Sequence, residues 1–378
     1  MCFMKQIIFS LIALTCLFLA ACQNHRIKEA ETVIPISLEK AANYHDIIKK
    51  IHITKLSDEM EAYMGRIEQT QVYKNYYLFK DDNEILYLFQ KSGKFVSNSK
   101  NVMGKGKGEY DICLSYSYNP FNNYIEVVVP EGIIFYDTTF HFIKKVRFND
   151  KDLNALMFNR ISDIDANRHL LMTPLENKRG NAFYYIFDSQ QDKLITKKPY
   201  PVECGYISML QQCMSDDSFI AFPCMNYTFY KIDKDDYACH PFITYDLGSE
   251  SLDEKDMAGK STERIQEDLL NSNKALVLKT FKSGDTVVSL VKAGAKPADF
   301  KTVIANIKTK QYRVIKAKDK KEEFPRLDYF NNGIIYACLS ADELERYIDK
   351  KLLDEPSTNT FASNSNKDNY CIVQYKLN

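Results

Sequence analysis

The sequence predicts an all-β chain: a six-bladed β-propeller closed by an N-terminal strand and preceded by a cleaved lipoprotein signal peptide. Three observations lead there. Strand-turn-strand units recur along the chain at a period near 50 residues. A period of about 40–50 residues holding about four strands is that of a propeller blade. The apolar run near the start ends in Leu19-Ala20-Ala21-Cys22. The strand Thr32–Leu38 has nothing local to pair with, and the last blade is one strand short.

The N-terminus comes first. Lys5 is its only early charge, and Ile7–Ala20 is apolar. That run falls short of the ~20 residues a spanning helix needs. A charged start, an apolar middle and small residues at the end make a secretory signal. The closing Leu-Ala-Ala-Cys is similar to the lipobox of bacterial lipoproteins. It implies lipid on the Cys22 thiol and cleavage before it, with residues 1–21 removed. An ordinary secreted signal with a chance cysteine is the alternative. Two or more acyl chains hold a protein stably on a membrane, so the expected partner at this end is the bilayer itself. Residues 22–32 are polar and read as a tether. Gln23, not aspartate, follows the cysteine, which favours the outer membrane. No acidic run follows to indicate surface export, so the periplasmic side is expected.

Composition narrows the remainder. Lys plus Arg and Asp plus Glu stand at 50 each. This balance gives no electrostatic case for nucleic-acid binding. The aromatic residues are 25 Tyr and 23 Phe with no Trp, which favours strands. It also removes the commonest sugar-stacking side chain, although Tyr can substitute. Seven cysteines lie beyond Cys22: 113, 204, 213, 224, 239, 338 and 371. None forms a Cys-x-x-Cys pair, so no zinc ribbon or thioredoxin motif is present. Most sit in apolar strand-like runs and are expected to be buried free thiols; one or two disulfides are the alternative.

The repeat is anchored where an apolar strand meets a polar turn. Tyr87-Leu-Phe89-Gln-Lys-Ser-Gly, Ile134-Phe-Tyr136-Asp-Thr-Thr and Tyr185-Ile-Phe187-Asp-Ser-Gln are its clearest copies. Weaker copies centre on Ile232, Ile307 and Tyr375. Intervals of 45–51 residues separate the first four, and 75 and 68 the rest. Insertions at 248–274 and 341–369 account for the two long intervals. The first has Ile265, Leu269 and Leu270 on one helical face. The second opens with Leu344, Tyr347, Ile348 and Leu352 at helical spacing and then becomes a Ser/Asn/Thr-rich loop. The predicted propeller therefore fills 33–378, with Thr32–Leu38 supplying the missing outer strand of blade six. Closure removes two exposed sheet edges. A pair of β-sandwiches with accidental spacing is the alternative.

Gly104-Lys-Gly106-Lys-Gly108-Glu109-Tyr110 lies between the first two blades. It resembles the Gly-x-Gly-x-Gly-Glu-(Phe/Tyr) segment of the TolB-like six-bladed β-propeller bacterial lipoproteins. Ile36–Glu39 and Tyr370–Leu377 are similar to that family's ends. The resemblance covers nearly the whole mature chain and implies an envelope lipoprotein that binds a ligand or partner. It implies no catalytic residue. A Gly-x-Gly turn can also cradle phosphate ahead of a helix. Here the strand-like Asp111–Tyr116 follows, so a structural turn between blades is expected.

Other motifs fail on spacing. Ala258–Thr262 ends like a phosphate-binding loop, but Glu254 stands where its first glycine belongs. No Gly-x-Ser-x-Gly elbow or His-Glu-x-x-His helix occurs. Asp81–Glu84 and Asp233–Asp236 read as solvated turns, since neither has the glycine and distal glutamate of a calcium loop. Histidines 25, 45, 52, 141, 169 and 240 are scattered and are expected at surface or rim positions. A composite site gathered by the ring stays open. The expectation is a lipid-anchored binding module without catalytic residues, metal or cofactor. Its partner is a small molecule, glycan, peptide or envelope protein. The alternative is a glycan or lactone hydrolase or lyase working at the central channel.

Overall fold

A run such as Tyr76–Asp81 (Tyr-Tyr-Leu-Phe-Lys-Asp) is apolar on both faces of its strand, so it needs a cover on each side. The computed structural model supplies both. It describes residues 30–149, 153, 158, 160–172, 183–199, 213–214, 219–221, 227–251, 260, 264, 272, 274–293, 300–316, 325–364 and 369–378. The predicted signal peptide and Cys22 lie outside these. So do Ile265, Leu269 and Leu270 of the first insertion, and all of Ala258–Thr262 except Lys260. No helix among the described residues is long and apolar enough to cross a membrane.

Six antiparallel sheets form the blades. Blade one comprises Ile67–Val72, Tyr76–Asp81, Leu86–Gln90 and Phe95–Asn98. Blade two comprises Ser115–Asn119, Tyr124–Val129, Gly132–Tyr136 and Phe142–Arg147, and blade three Arg160–Asp163, Arg168–Met172, Phe183–Asp188 and Lys193–Pro199. Blade four comprises Cys213–Met214, Phe219–Ala221, Thr228–Ile232 and Cys239–Asp246. Blade five comprises Leu276–Ser283, Thr286–Lys292, Phe300–Asn306 and Tyr312–Lys316. Blade six comprises Tyr329–Asn331, Ile334–Leu339, Cys371–Leu377 and, from the other end of the sequence, Ile48–Lys55. First strands touch between blades two and three, four and five, five and six, and six and one, so they line the axis. All six repeat anchors fall on, or one residue after, the third strand of a blade.

The core is a set of layers between blades, and strand alternation assigns each side chain to one of them. Leu78 faces blade two beside Tyr116 and Val127. Its neighbours Tyr77 and Phe79 face blade six beside Tyr336 and Cys338.

Ring closure differs from the expectation in one respect. The strand that completes blade six is Ile48–Lys55, antiparallel to Cys371–Leu377 with Ile53 opposite Val373. Thr32–Pro35 instead adds a parallel fifth strand to the rim of blade four, Thr32 opposite Ile243. Ala41–Ala42 does the same on blade five, Ala41 opposite Val314. The N-terminal segment is thus a strap over three blades, and each of its elements pairs with a different sheet. Ile34, Ile36, Leu38 and Ile51 are buried by it, each contributing roughly 1.5–3 kcal/mol.

The second insertion covers the strap's last strand. Helix α1 (Ala341–Tyr347) starts at a capping box of Ser340 and Glu343. Helix α2 (Glu355–Ser363) occupies part of the expected Ser/Asn/Thr-rich loop. Its sequence is a poor helix former, yet Asp354 caps it, Pro356 opens it, and buried Ser357 accepts a hydrogen bond from Ile53 N at 2.8 Å. Packing against the closing strand overrides propensity there. Among the described residues, cysteines 113, 239 and 338 are free thiols. Burial pushes Cys113 and Cys239 up to about 12, so neither is a ready nucleophile.

Candidate functional site

Strand direction gives the ring two unlike faces. Turns between first and second, and third and fourth, strands lie on one face. They are short, as in 73–75, 120–123, 189–192, 284–285 and 332–333. The connections on the other face are mostly long, and include 99–114, 247–275, 317–328 and 340–370. Both insertions and the glycine segment therefore share the long-loop face, where loops free of ladder constraints can carry binding groups.

The glycine segment closes on itself. Gly104 N donates to Tyr110 O at 2.9 Å, and Tyr110 N to Val102 O at 3.1 Å. Gly106 N donates to Glu109 Oε2 at 2.8 Å. A Cβ on Gly104 would stand 2.3 Å from that same oxygen. The anion in this cradle is thus the segment's own Glu109. Buried Tyr110 anchors the segment to blade one, its hydroxyl 2.6 Å from Ser99 Oγ and donating to Glu84 O at 3.1 Å. The segment forms a self-bonded turn between blades one and two.

The acidic turns divide. Asp233 is partly exposed, 3.3 Å from Lys231 and 3.6 Å from His240. Asp81 is fully buried and not a solvated turn residue. It accepts from the backbone of Gly65, Asn83 and Ile85, each at 3.0 Å, and so pins the turn to the segment before blade one.

The histidines also divide. His45 and His141 are exposed, and His52 and His240 are partly exposed. His52 Nδ1 donates to Asp354 at 2.9 Å. Ser357 is nearby, but its hydroxyl donates to Asp354, its oxygen accepts from Ile53 N, and it is buried. A Ser-His-Asp nucleophile is excluded by that arrangement.

His169 departs from the expected rim position, for it is fully buried between blades two and three. On the second strand of blade two, Ile125, Val127 and Val129 face blade one. Glu126 shares the opposite face with Val128 and points to blade three. On blade three, His169 shares its face with Leu171, and Asp163 shares its face with Ile161, both toward blade two. The three meet: His169 Nδ1 lies 3.0 Å from Glu126 Oε2 and 3.0 Å from Asp163 Oδ1. Glu126 and His169 side chains are 0% exposed, and Asp163 is 6%.

Further groups hold this cluster in place. Asn119 Nδ2 donates to Glu126 Oε1 at 2.9 Å. Ser189 Oγ donates to Asn167 O at 3.1 Å and lies 2.9 Å from His169 Nε2. With its proton so used, Ser189 Oγ accepts from Nε2–H, and Nδ1 is turned to the carboxylates. Burial, then Asp163, pushes the Glu126 carboxyl up to about 8. Burial opposes charge on His169, but Glu126 and Asp163 outweigh it and lift the ring to about 10. The sequence held one sign of this site. A lone Glu interrupts Tyr124-Ile-Glu-Val-Val-Val129, and a lone His interrupts Arg168-His-Leu-Leu-Met172.

Comparison with known proteins supports the fold. A Bacteroides fragilis protein described as a candidate exported protein superposes with a TM-score of 0.67 at 15% identity, covering 92% of this chain and 100% of that one. A luciferin-regenerating enzyme gives 0.45 at 9% identity, over 86% and 94% of the two chains. The Pan2 WD40 domain of Neurospora crassa gives 0.38 at 9% identity, over 72% of each. Only the first of these three is similar enough to compare, and at that identity it speaks to the fold alone. No curated protein matches the sequence. The matching family model is described as 6-bladed beta-propeller and spans residues 22–332. With six sheets in a closed ring and that match over most of its length, the chain belongs to the six-bladed β-propeller family DUF5128.

Proposed function

We propose that this propeller is a lipid-anchored envelope protein that holds its long-loop face away from the membrane to bind a ligand or partner. The observation that carries the reading is the course of the strap. Thr32–Pro35 runs parallel to Cys239–Asp246, the outer strand of blade four, with Pro35 opposite Asp246. That outer strand runs from the short-turn face to the long-loop face. The chain ahead of Thr32 therefore leaves the ring toward the short-turn face. Nine residues, 23–31, separate Cys22 from the strap, so the ten steps from Cys22 to Thr32 reach at most ~36 Å at ~3.3–3.6 Å per residue. An acylated Cys22 would hold the short-turn face nearest the bilayer. The family match starting at Cys22 and the exported character given to the Bacteroides fragilis protein support an envelope location.

A hydrolase or lyase at the channel has less support. The one cluster of a histidine with two carboxylates among the described residues is sealed between blades, where no glycan or lactone reaches it. The test has two arms. Cys22→Ala should abolish incorporation of labelled palmitate and move the protein from the membrane to the soluble fraction. In the wild-type chain, a fluorophore at Lys308 on the short-turn face should be quenched by headgroup-labelled lipid, and one at Lys105 should not. Retention of the Cys22→Ala protein on membranes sinks the anchor. Equal quenching at both positions sinks the orientation while leaving the anchor intact.

A further inference from the structure

We propose that Glu126, Asp163 and His169 form a structural site for a divalent transition-metal ion, zinc the first to test, clamping blade two to blade three. Their ligand atoms lie within 4.8 Å of one another. One imidazole nitrogen and two carboxylate oxygens suit Zn2+ and its neighbours in the first transition row.

Two independent observations point to an occupant. The first is an unmet acceptor. Glu126 Oε2 is fully buried and, as an ionised carboxylate oxygen, has no donor in good hydrogen-bond geometry. His169 Nδ1 is 3.0 Å away, yet it is equally near Asp163 and carries at most one proton, which is aimed at Asp163. Ser117 stands directly opposite Glu126 in the sheet, and its buried Oγ is also without a partner. An orphaned buried acceptor is costly, and a cation between the three residues would meet Oε2, Oδ1 and Nδ1 together.

The second is charge and orientation. Two carboxylates and a neutral imidazole carry −2, which one divalent ion cancels in a space closed to water. Ser189 fixes the imidazole through Nε2, and Asn119 fixes the carboxylate through Oε1. Each leaves the other atom of its ligand free to bind. Such outer partners are characteristic of metal ligands. Two bound protons are the competing way to neutralise the cluster.

The two states respond oppositely to Glu126→Gln. A neutral glutamine mimics a protonated glutamate but is a poor metal ligand. The full chain, purified in detergent without added metal, is measured by mass spectrometry for bound metal and by thermal unfolding. We expect about one equivalent of metal per wild-type chain, near none in Glu126→Gln or His169→Gln, and a lower Tm after chelation that Zn2+ restores. Surface histidines remain in these variants, so metal bound at the surface cancels in the comparison. Ser189→Ala should weaken Zn2+ binding by about 10- to 100-fold without removing a ligand. The proposal is overturned if the wild-type chain binds no more Zn2+ than Glu126→Gln, or if that variant matches the wild-type Tm with and without Zn2+.

Discussion

Ile53 stands opposite Val373 in blade six, and on its free edge its N–H donates to Ser357 Oγ at 2.8 Å. One strand from the N-terminal segment is thus held by the third strand of its blade on one side and by an insertion on the other. Closure depends on both contacts.

The side-chain part of closure is tested at Ile51, which is fully buried. Ile51→Ala should lose about 2–5 kcal/mol in denaturant unfolding. Val33→Ala, on the same strap but 44% exposed, should stay within about 0.5 kcal/mol of wild type. Similar losses at the two positions would show that the strap is not fastened through its buried face.

The backbone part is tested at Ser357. Ser357→Ala leaves the Ile53 N–H without its acceptor, at a cost of about 1–3 kcal/mol. Hydrogen exchange should speed at Ile53 and at Asp354, whose N–H donates to Ile51 O at 3.1 Å. Amides of blade two should exchange as before. Uniform speeding across the ring would mean global destabilisation and no local clasp.

Gly108 tests the glycine segment as a turn. Its φ is +83°, and an added Cβ would stand 2.4 Å from the Phe142 ring. Gly108→Ala should therefore cost about 2–3 kcal/mol, strain and clash together. In a Phe142→Ala background the clash is gone, and the penalty should shrink to about 1 kcal/mol. An unchanged penalty in that background would assign the whole effect to the backbone.

How much of this was legible in the sequence depended on the range of each interaction. The anchors at Phe89, Tyr136 and Phe187 were readable because alternation and turn chemistry are local. The insertions were readable as breaks in a period. The sequence misassigns the closing strand because Thr32–Leu38 and Ile48–Lys55 are both strand-like, the second with Lys49, Lys50, His52 and Lys55 among its apolar residues. Only pairing with Cys371–Leu377 distinguishes them, and that pairing leaves no mark nearby. Helix α2 was missed because what stabilises it, Ile53 and His52, lies at the other end of the sequence. The cluster at His169 was missed for the same reason. Its ligand atoms come from two blades, and only Glu126 and His169 show in the sequence as polar residues in apolar runs.

Lys91 gives a prediction in pH. It sits in the turn after the third strand of blade one, its Nζ 4.1 Å from the Tyr77 ring centre and 5.0 Å from that of Tyr336. Burial lowers it from 10.5 to about 8, while the two ring faces favour the cation and oppose that fall. Between pH 8 and 10.5 the unfolded chain holds a proton at this site that the folded chain has released. Stability contributed by Lys91 therefore rises with pH across that window, and the cost of burying the charge is fully present below it. Lys91→Met removes the charge and keeps the apolar stem. The variant should gain on wild type at pH 7, and the gain should shrink as pH passes 8. Burial also raises nearby groups such as Tyr77 and Cys338, and they titrate in the alkaline range. Their effect is common to both proteins, so the difference between the two unfolding curves isolates Lys91. Curves that stay parallel from pH 7 to 10 would show that the aromatic faces cancel the cost of burial completely.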